Sequence, residues 1–154
     1  MKKIDNVDLS ILSAIYKDSR LSNKDLADQL GIAPSTSLER VKRLHKEGIL
    51  KNHFAEVDYK SLGINLQAMA SVRLEKHNQD KVNAFKVTIL KYKEVISVFH
   101  MGGDNDFLVH IAVSDAEHLR DFVFEAFSSK ANVEHVATAL IYEHQRSKTL
   151  PYQL

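Results

Sequence analysis

The sequence contains no cysteine, no apolar run of membrane-spanning length and almost no net charge. Without cysteine, neither disulfide bonds nor a cysteine-ligated zinc ion can form. Because the N-terminal residues also lack the apolar core of a signal peptide, we expect a soluble, cytoplasmic chain that does not enter a membrane. The formal net charge of +1 is not that of a general nucleic-acid coat protein, so affinity for nucleic acid would have to come from local charge.

The usual catalytic and metal-binding patterns are also missing. The eight histidines are scattered, and no two have the i, i+4 helical spacing typical of a zinc site. The sequence has no glycine-rich phosphate loop and no serine in a nucleophile elbow. We therefore expect no catalytic residues, no metal and no cofactor, and we interpret the chain as a non-enzyme.

Residues 22–48 predict two short helices joined by a tight turn. Ser22 is placed to accept a hydrogen bond from the first helix, and Asp25 to reach back, as in a variant of the capping box. Gly31 can take the left-handed conformation that ends a helix, and Pro34 suits the first turn of the next one. This order is typical of a helix-turn-helix, whose second helix enters the major groove of DNA.

The second of these helices carries hydroxyl and basic side chains outside its apolar stripe. That buried stripe is predicted to be Leu38, Val41 and Leu44. Hydroxyls near the helix N-terminus suit base edges, and the basic residues that follow suit phosphates. A solvated amphipathic helix is the alternative interpretation, but the capped helix and the glycine turn favour DNA binding. The predicted DNA-contacting residues are Ser35, Thr36, Ser37, Glu39, Arg40, Lys42, Arg43 and Lys51.

Flanking segments extend this module to a winged domain over residues 1–58. A preceding helix is predicted, with Asp5 and Asp8 in its opening turn, where the helix dipole favours acids. Its apolar residues are Ile4, Ile11, Leu12 and Ile15. Two β-prone pieces, residues 49–50 and 54–57, predict a small wing around a turn-like tip that holds Lys51 and His53. Because so few basic residues cluster here, we expect specific binding to need two or more modules on one DNA.

The second half has a different periodicity and predicts a ferredoxin-like β-α-β-β-α-β domain over residues 66–143. A linker at 59–65 precedes it and a tail at 144–154 follows it. The predicted strands are 67–74, 95–101, 107–113 and 133–142. One helix is predicted across 79–92, and a second begins at a capping box of Ser114 and Glu117. The buried side of that second helix is predicted to be Leu119, Phe122, Val123, Ala126 and Phe127. The fold class is therefore α+β.

The two middle strands are apolar on both faces. In the first, strict alternation places Val95, Ser97, Phe99 and Met101 on one face and Ile96, Val98 and His100 on the other. In the second, Leu108, His110 and Ala112 lie opposite Val109, Ile111 and Val113. Because helices cover one side of the sheet, the other side is left exposed and requires a partner. We predict a homodimer packed sheet to sheet, which also supplies two DNA-binding modules.

The chain resembles the Lrp/AsnC family of transcription regulators over nearly its whole length. The residues that carry the resemblance are Ile4-Asp5, Asp8, Gly31, Pro34, the stretch 38–44, Gly48-Ile49, Val57-Asp58 and the Gly103–Phe107 segment. The resemblance implies dimers that assemble further, to tetramers or octamers, that bind promoter DNA and respond to an amino acid. Family members commonly have serine where this chain has Ala33, so we expect the recognition helix to lack a side-chain cap, at a cost of about 1 kcal/mol.

The resemblance also implies an effector site at the loop between the two middle strands. Its candidate residues are Gly102, Gly103, Asp104 and Asp106. Glycines let backbone amides approach a ligand carboxylate, and an aspartate can hold an α-ammonium group. The alternative is a simple tight turn, which the composition alone would satisfy.

Two other functional classes are open at this point. The chain could be a ligand-independent or architectural DNA-binding regulator of the same fold. It could instead be a small-molecule-binding assembly module that does not bind DNA, although the basic helix face argues against this. A small ferredoxin-like enzyme is disfavoured by the missing acid/base residues.

Overall fold

The computed structural model describes residues 4–51, 55–75, 78–128, 130 and 132–152. The chain divides into two units. One comprises Met1–Glu56 together with Gln145–Leu154, and the other comprises Val57–His144. In the part of the chain that is described, no helix is long and apolar enough to cross a membrane.

The first unit is a three-helix module in its described residues: α1 (Asn6–Lys17), α2 (Asn23–Leu30) and α3 (Pro34–Lys46). Asp5 and Asp8 form a capping box at the start of α1, and Ser22 caps α2 by accepting a hydrogen bond from the amide of Asp25. Gly31 ends α2 with a left-handed φ of 64°. The core of this unit is Ile11, Ala14, Leu26 and Leu44. The predicted helices and their turn are confirmed.

Two local predictions for this unit are wrong. Leu38 is 43% exposed, because the buried side of α3 is centred on Ser37, with Val41 partly buried and Leu44 fully buried. The predicted stripe was therefore displaced by one position at its first residue. Ile49 and Leu50 form no strand: their amides both donate to the carbonyl of Leu44, and their side chains pack on the core.

The described residues of the second predicted wing piece do not form a strand either. Residues 55–58 have no regular structure, and residues 52–54, which include His53 of the predicted tip, lie outside the described residues. Beyond it, Lys60–Leu62 form a short 3₁₀ turn that ends at Gly63. The tail packs on the first unit, with the guanidinium of Arg146 5.2 Å from the centroid of the Tyr16 ring.

The second unit has the predicted β-α-β-β-α-β order. Its elements are β1 (Leu66–Leu74), α4 (Gln79–Ile89), β2 (Val95–His100), β3 (Phe107–Val113), α5 (Ala116–Val123) and β4 (Val133–Ile141). A π-helical turn, Phe124–Ser128, continues α5. The described strands form one antiparallel sheet in the order β2-β3-β1-β4.

The core of this unit lies between the two helices and one face of the sheet. Phe85 of α4 stacks on Phe107 of β3 with ring centroids 4.6 Å apart, and Phe122 meets Phe127 edge to face at 5.9 Å. Every second residue of β1 from Ala68 onward points into this core.

Two details of the second unit differ from prediction. Val95 and Val98 pack on the same core, because an irregularity in the pairing with β3 falls between Val95 and Ser97. A bulge of this kind breaks the two-residue alternation that placed them on opposite faces. The cap of α5 is Asp115, whose side chain accepts from the amide of His118, and not Ser114.

Candidate functional site

The outward face of α3 is a row of four exposed side chains, Ser35, Glu39, Lys42 and Lys46. Their spacing of i, i+4, i+7 and i+11 places them along one side of a helix. This side lies opposite the buried residues Ser37 and Leu44. We call these four residues the outward row. It combines a hydroxyl, a carboxylate and two ammonium groups.

The first turn of α3 carries exposed hydroxyls at an N-terminus without a side-chain cap. Ser35 and Thr36 are exposed, Pro34 occupies the first helical position, and Ala33 makes no side-chain cap hydrogen bond. The side-chain Nδ2 of Asn23 donates to the carbonyl of Pro34 at 2.9 Å, so the start of α2 holds the start of α3. Free helix N-terminal amides favour a phosphate group.

Ser37 does not belong to this surface. Its exposure is 0%, and its hydroxyl oxygen is a buried atom without a hydrogen-bond partner among the described residues. A side chain in that position faces the helices of its own domain and is out of reach of a duplex. We therefore remove Ser37 from the predicted contact residues.

Arg40 and Arg43 lie on the flank of α3 that faces α1. Nη1 of Arg40 is 2.7 Å from Oδ2 of Asp5 and 2.8 Å from Oδ1 of Asp8. Nη2 of Arg43 is 2.6 Å from the same Oδ1 of Asp8. The helical pattern predicted both arginines on the solvent side and the two aspartates only as partners of the helix dipole. The ion pairs leave no local signal in the sequence, because their members are separated by more than thirty positions.

The charges of this cluster are mutually compensated. Burial by itself raises the pKa of Asp8, but hydrogen bonds from Arg43, from the Asp5 amide and from Arg40 outweigh burial and lower that pKa to about 2. The bond from Arg40 likewise lowers the pKa of Asp5. Both carboxylates are ionised at neutral pH and hold both guanidinium groups.

Lys51 and Glu39, the remaining predicted contacts, are exposed.

The loop between β2 and β3 is the predicted effector site, and its residues separate into two groups. Gly102, Gly103 and Asp104 are exposed, and a Cβ atom built at either glycine meets nothing within 4 Å. Gly103 has a φ of 132°, a conformation that other residues rarely adopt.

Asp106 has a structural role in that loop. It is 4% exposed, and its Oδ2 accepts a hydrogen bond from the amide of Leu74 at 2.7 Å. Its own amide donates to the carbonyl of Val72, so the residue ties the loop to the end of β1. A carboxylate used in this way is not available as the main acceptor for a ligand, and we remove Asp106 from the candidate ligand contacts.

The described residues contain no group of three or more histidine or acidic side chains that could hold a metal ion. The two surfaces above, one on a helix-turn-helix and one on a sheet-and-helix domain, are those of a transcriptional regulator that joins a DNA-binding domain to a ligand-binding domain. Models of protein families match both parts: a winged helix-turn-helix DNA-binding domain over residues 4–51, and the Lrp/AsnC ligand binding domain over residues 67–150. The chain belongs to the Lrp/AsnC family of transcriptional regulators.

Several relatives are similar along most of their length. The HTH-type transcriptional regulator AldR of Mycobacterium tuberculosis is 40% identical over 144 residues, which cover 94% of this chain and 80% of AldR. The Bkd operon transcriptional regulator of Pseudomonas aeruginosa is 30% identical over 151 residues, with 98% and 99% covered. Both matched domains are regulatory and not catalytic, so the chain is not an enzyme.

Solved structures agree with this assignment. The crystal structure of MtbAldR has a TM-score of 0.76 at 36% identity, and the match covers 96% of this chain and 100% of the MtbAldR chain. A transcriptional regulator of Neisseria meningitidis in complex with L-Met has a TM-score of 0.87 at 27% identity, with 97% of each chain covered. The fold class and the function as a DNA-binding regulator are thereby confirmed.

Proposed function

We propose that this regulator reads duplex DNA with the first turn and the outward row of α3, and that an amino acid bound at the β2–β3 loop modulates this binding. The observation that carries the DNA part is the first turn of α3, where Ser35 and Thr36 are exposed at a helix start without a side-chain cap. Hydroxyls there suit base edges, while the amides and the lysines of the row suit phosphates.

The amino-acid part rests on the chemistry of the exposed loop. Backbone amides at Gly102 and Gly103 can approach a carboxylate without interference from a Cβ, and the carboxylate of Asp104 can accept from an α-ammonium group. The match of the ligand-binding domain and the L-Met complex of the Neisseria meningitidis regulator support an amino-acid ligand.

We further propose that two copies pack through the open face of the sheet, and that such dimers assemble further to tetramers or octamers. Strand pairing defines three rows without lysine, arginine or acidic residues across that face, and Arg73 paired with His135 lies at its end. The three rows are Phe99-Leu108-Ser71-Ala137, Ser97-His110-Met69-Ala139 and Ala112-Gln67-Ile141. None of these residues is acidic, and the pKa of His110 is lowered by burial and then by the charge of His144.

A face whose three central rows hold no lysine, arginine or carboxylate, and which carries Phe99 at 50% exposure, is suited to pairing with a second copy of itself. Arg73 at its end is paired with Glu134 at 3.1 Å. A dimer would present two helix-turn-helix modules to one DNA, and the second would bind at high effective concentration. We expect the protein to act in the cytoplasm, where the DNA of a bacterium or archaeon lies.

The DNA part is tested by fluorescence anisotropy with a labelled duplex from the region upstream of the protein's own gene. We expect Ser35→Ala/Thr36→Ala to weaken specific binding about tenfold or more, because a good base contact contributes about 1–3 kcal/mol. Affinity for a random duplex should change little. Ser10→Ala, which removes an exposed hydroxyl from α1 of the same domain, is the matched control. If the double variant binds both duplexes as the wild type does, the first turn of α3 is not the reading surface.

The effector part is tested by titrating a panel of amino acids into the wild type and into Asp104→Asn, first by calorimetry and then in the binding assay. One amino acid should bind and alter DNA affinity, and the asparagine variant should lose that response. If every amino acid leaves both heat and DNA affinity unchanged, the protein is a ligand-independent regulator and the loop is only a turn.

A further inference from the structure

The two arginines of α3, Arg40 and Arg43, form ion pairs with carboxylates of the first unit. Oδ1 of Asp8 receives Nη1 of Arg40 at 2.8 Å and Nη2 of Arg43 at 2.6 Å, and Oδ2 of Asp8 accepts the amide of Asp5 at 3.1 Å. The side chain of Asp8 is 0% exposed, whereas those of Arg40 and Arg43 are 26% and 20% exposed. Asp8 thus connects the capped first turn of α1 to two successive turns of the recognition helix.

The charge of this cluster leaves little for a phosphate. Asp5 and Asp8 balance Arg40 and Arg43, and Glu47 lies a further 3.6 Å from Nη1 of Arg43. That Nη1 atom is buried and has no hydrogen-bond partner among the described residues, so it is not presented to solvent. A guanidinium that already has carboxylate partners releases few counterions when DNA binds.

The lysines of the outward row are in the opposite situation. Lys42 and Lys46 are exposed, and within the described part of the chain neither has an ion pair with a carboxylate. They lie on the side of α3 opposite its buried residues, while the arginines lie on the flank toward α1. The helix therefore separates its cations into an inner pair, Arg40 and Arg43, and an outer pair, Lys42 and Lys46.

We propose that Asp8 is a positioning residue for DNA recognition: it fixes the recognition helix through the inner pair, and the outer pair makes the phosphate contacts. Arg40 and Arg43 then affect DNA affinity through the placement of α3 and not through contact with the duplex. Asp5 supports Arg40 from the rim of the cluster. The inference rests on the proposed DNA interface and specifies the division of labour within it.

The slope of log affinity against log salt distinguishes the two roles. A phosphate contact contributes roughly one to that slope, whereas loss of a positioning group lowers affinity at every salt concentration without changing the slope. We would measure binding of the full-length protein to the upstream duplex over a range of salt concentrations. Lys42→Gln and Lys46→Gln should each reduce the slope by about one per bound domain, and Lys17→Gln on α1 should not.

For the inner pair we expect Arg40→Gln, Arg43→Gln and Asp8→Asn to lose about tenfold or more in affinity with the wild-type slope. Because Asp8→Asn removes a buried charge and can unfold the domain, Asp5→Asn is the second variant. Asparagine keeps the N-cap of α1, so the helix is retained while the support of Arg40 is weakened. It should lose several-fold in affinity with an unchanged slope, at an unchanged helical circular dichroism signal.

The result that overturns the inference is a reduced slope in Arg40→Gln or Arg43→Gln, or tighter binding and a steeper slope in Asp5→Asn. Either would show that the arginines contact phosphates and that the aspartates merely withhold them. Failure of the interface itself is separate: the lysine variants would then keep the wild-type slope, or the wild type would show no salt-dependent binding.

Discussion

Asp8 makes the stability of the first unit, the DNA-binding unit, depend on pH in the acidic range. Its pKa falls from 3.8 to about 2 on folding, so the folded state binds a proton less readily than the unfolded chain. The stabilisation is complete above the unfolded pKa and is lost as pH falls from about 5 toward 2. At about 1.4 kcal/mol per pKa unit, it amounts to about 2 kcal/mol.

We expect Asp8→Asn to lower the free energy of unfolding at pH 7 by about 3–5 kcal/mol, because it leaves two arginines poorly paired. Urea denaturation at several pH values should also show a flatter acid dependence for this variant than for the wild type. Asp121→Asn, at an exposed carboxylate paired with Arg120, is the control and should behave as the wild type. An acid profile of Asp8→Asn that matches the wild type would contradict the assignment.

Adjacent glycines in the effector loop should respond differently to alanine. Gly103 has a φ of 132°, so Gly103→Ala should destabilise the second unit by about 1–3 kcal/mol. Gly102 has no such constraint, and a Cβ there meets nothing within 4 Å, so Gly102→Ala should stay within about 0.5 kcal/mol of the wild type. Thermal unfolding measures both. Equal effects of the two substitutions would mean that backbone conformation does not limit this loop.

Individual residues also show where sequence reasoning ends. Local patterns identified Gly31 and Pro34 correctly, because each acts on its own turn of backbone, and the family resemblance identified the missing cap at Ala33. The partners of Arg40 and Arg43 lie in another helix, so no local pattern could show that these side chains are already paired. Asp106 was misjudged for the same reason, since its acceptor role depends on the end of β1.

At the scale of the elements, a side-chain cap at the start of α3 should stabilise that helix. Ala33 has extended backbone angles and makes no side-chain cap hydrogen bond. We expect Ala33→Ser to stabilise the DNA-binding unit by about 1 kcal/mol, because the hydroxyl can accept from an amide of the first turn. Thermal denaturation checks this, with Ala84→Ser inside α4 as a control that should give no gain. No gain in Ala33→Ser would mean that these amides already have acceptors.

The same variant connects element stability to function. A serine cap would occupy an amide that the proposed interface leaves for phosphate, so Ala33→Ser should bind DNA no more tightly despite its greater stability. Tighter binding in proportion to stability would instead indicate that fraying of α3 limits recognition in the wild type. Anisotropy titration of the same protein preparation separates the two results.

The bounds of most helices and strands could be predicted from the sequence. Which side chains of each element face the core could not always be predicted. Periodicity located β3 and the helices because each has a repeated apolar pattern on a covered face. It failed at Leu38, where a leucine is exposed and the neighbouring Ser37 is buried, and at β2, where a bulge after Val95 changes the facing. In both cases packing against other elements overrides the preference that composition suggests.

At the scale of the whole molecule, the first unit presents a charged helix face, and the second presents a sheet face whose central rows hold no lysine, arginine or carboxylate. The first unit pairs Arg40 and Arg43 with its own carboxylates and leaves Lys42 and Lys46 exposed, so we expect a single module to bind DNA weakly. The second unit exposes Phe99 on a face that its own helices do not cover. Association through that face would raise DNA affinity without any new contact to the duplex.

That association should depend on Phe99. Phe99→Glu places a carboxylate on the open face, where it remains hydrated in a monomer but would be buried in a sheet-to-sheet dimer at a cost of several kcal/mol. Val87→Glu, at a position on α4 that is 60% exposed, is the matched control because it adds the same charge to the helix side. Sedimentation velocity at micromolar concentration should find wild type and Val87→Glu as dimers or larger, and Phe99→Glu as a monomer.

DNA binding supplies the second readout of this prediction. A monomer of Phe99→Glu keeps an intact helix-turn-helix, so it should retain weak binding while losing the tight binding that depends on two linked modules. A monomeric wild type would contradict the dimer directly. If Phe99→Glu instead remains dimeric and Val87→Glu dissociates, the helix side of the second unit forms the interface, and the exposed sheet face must have another role.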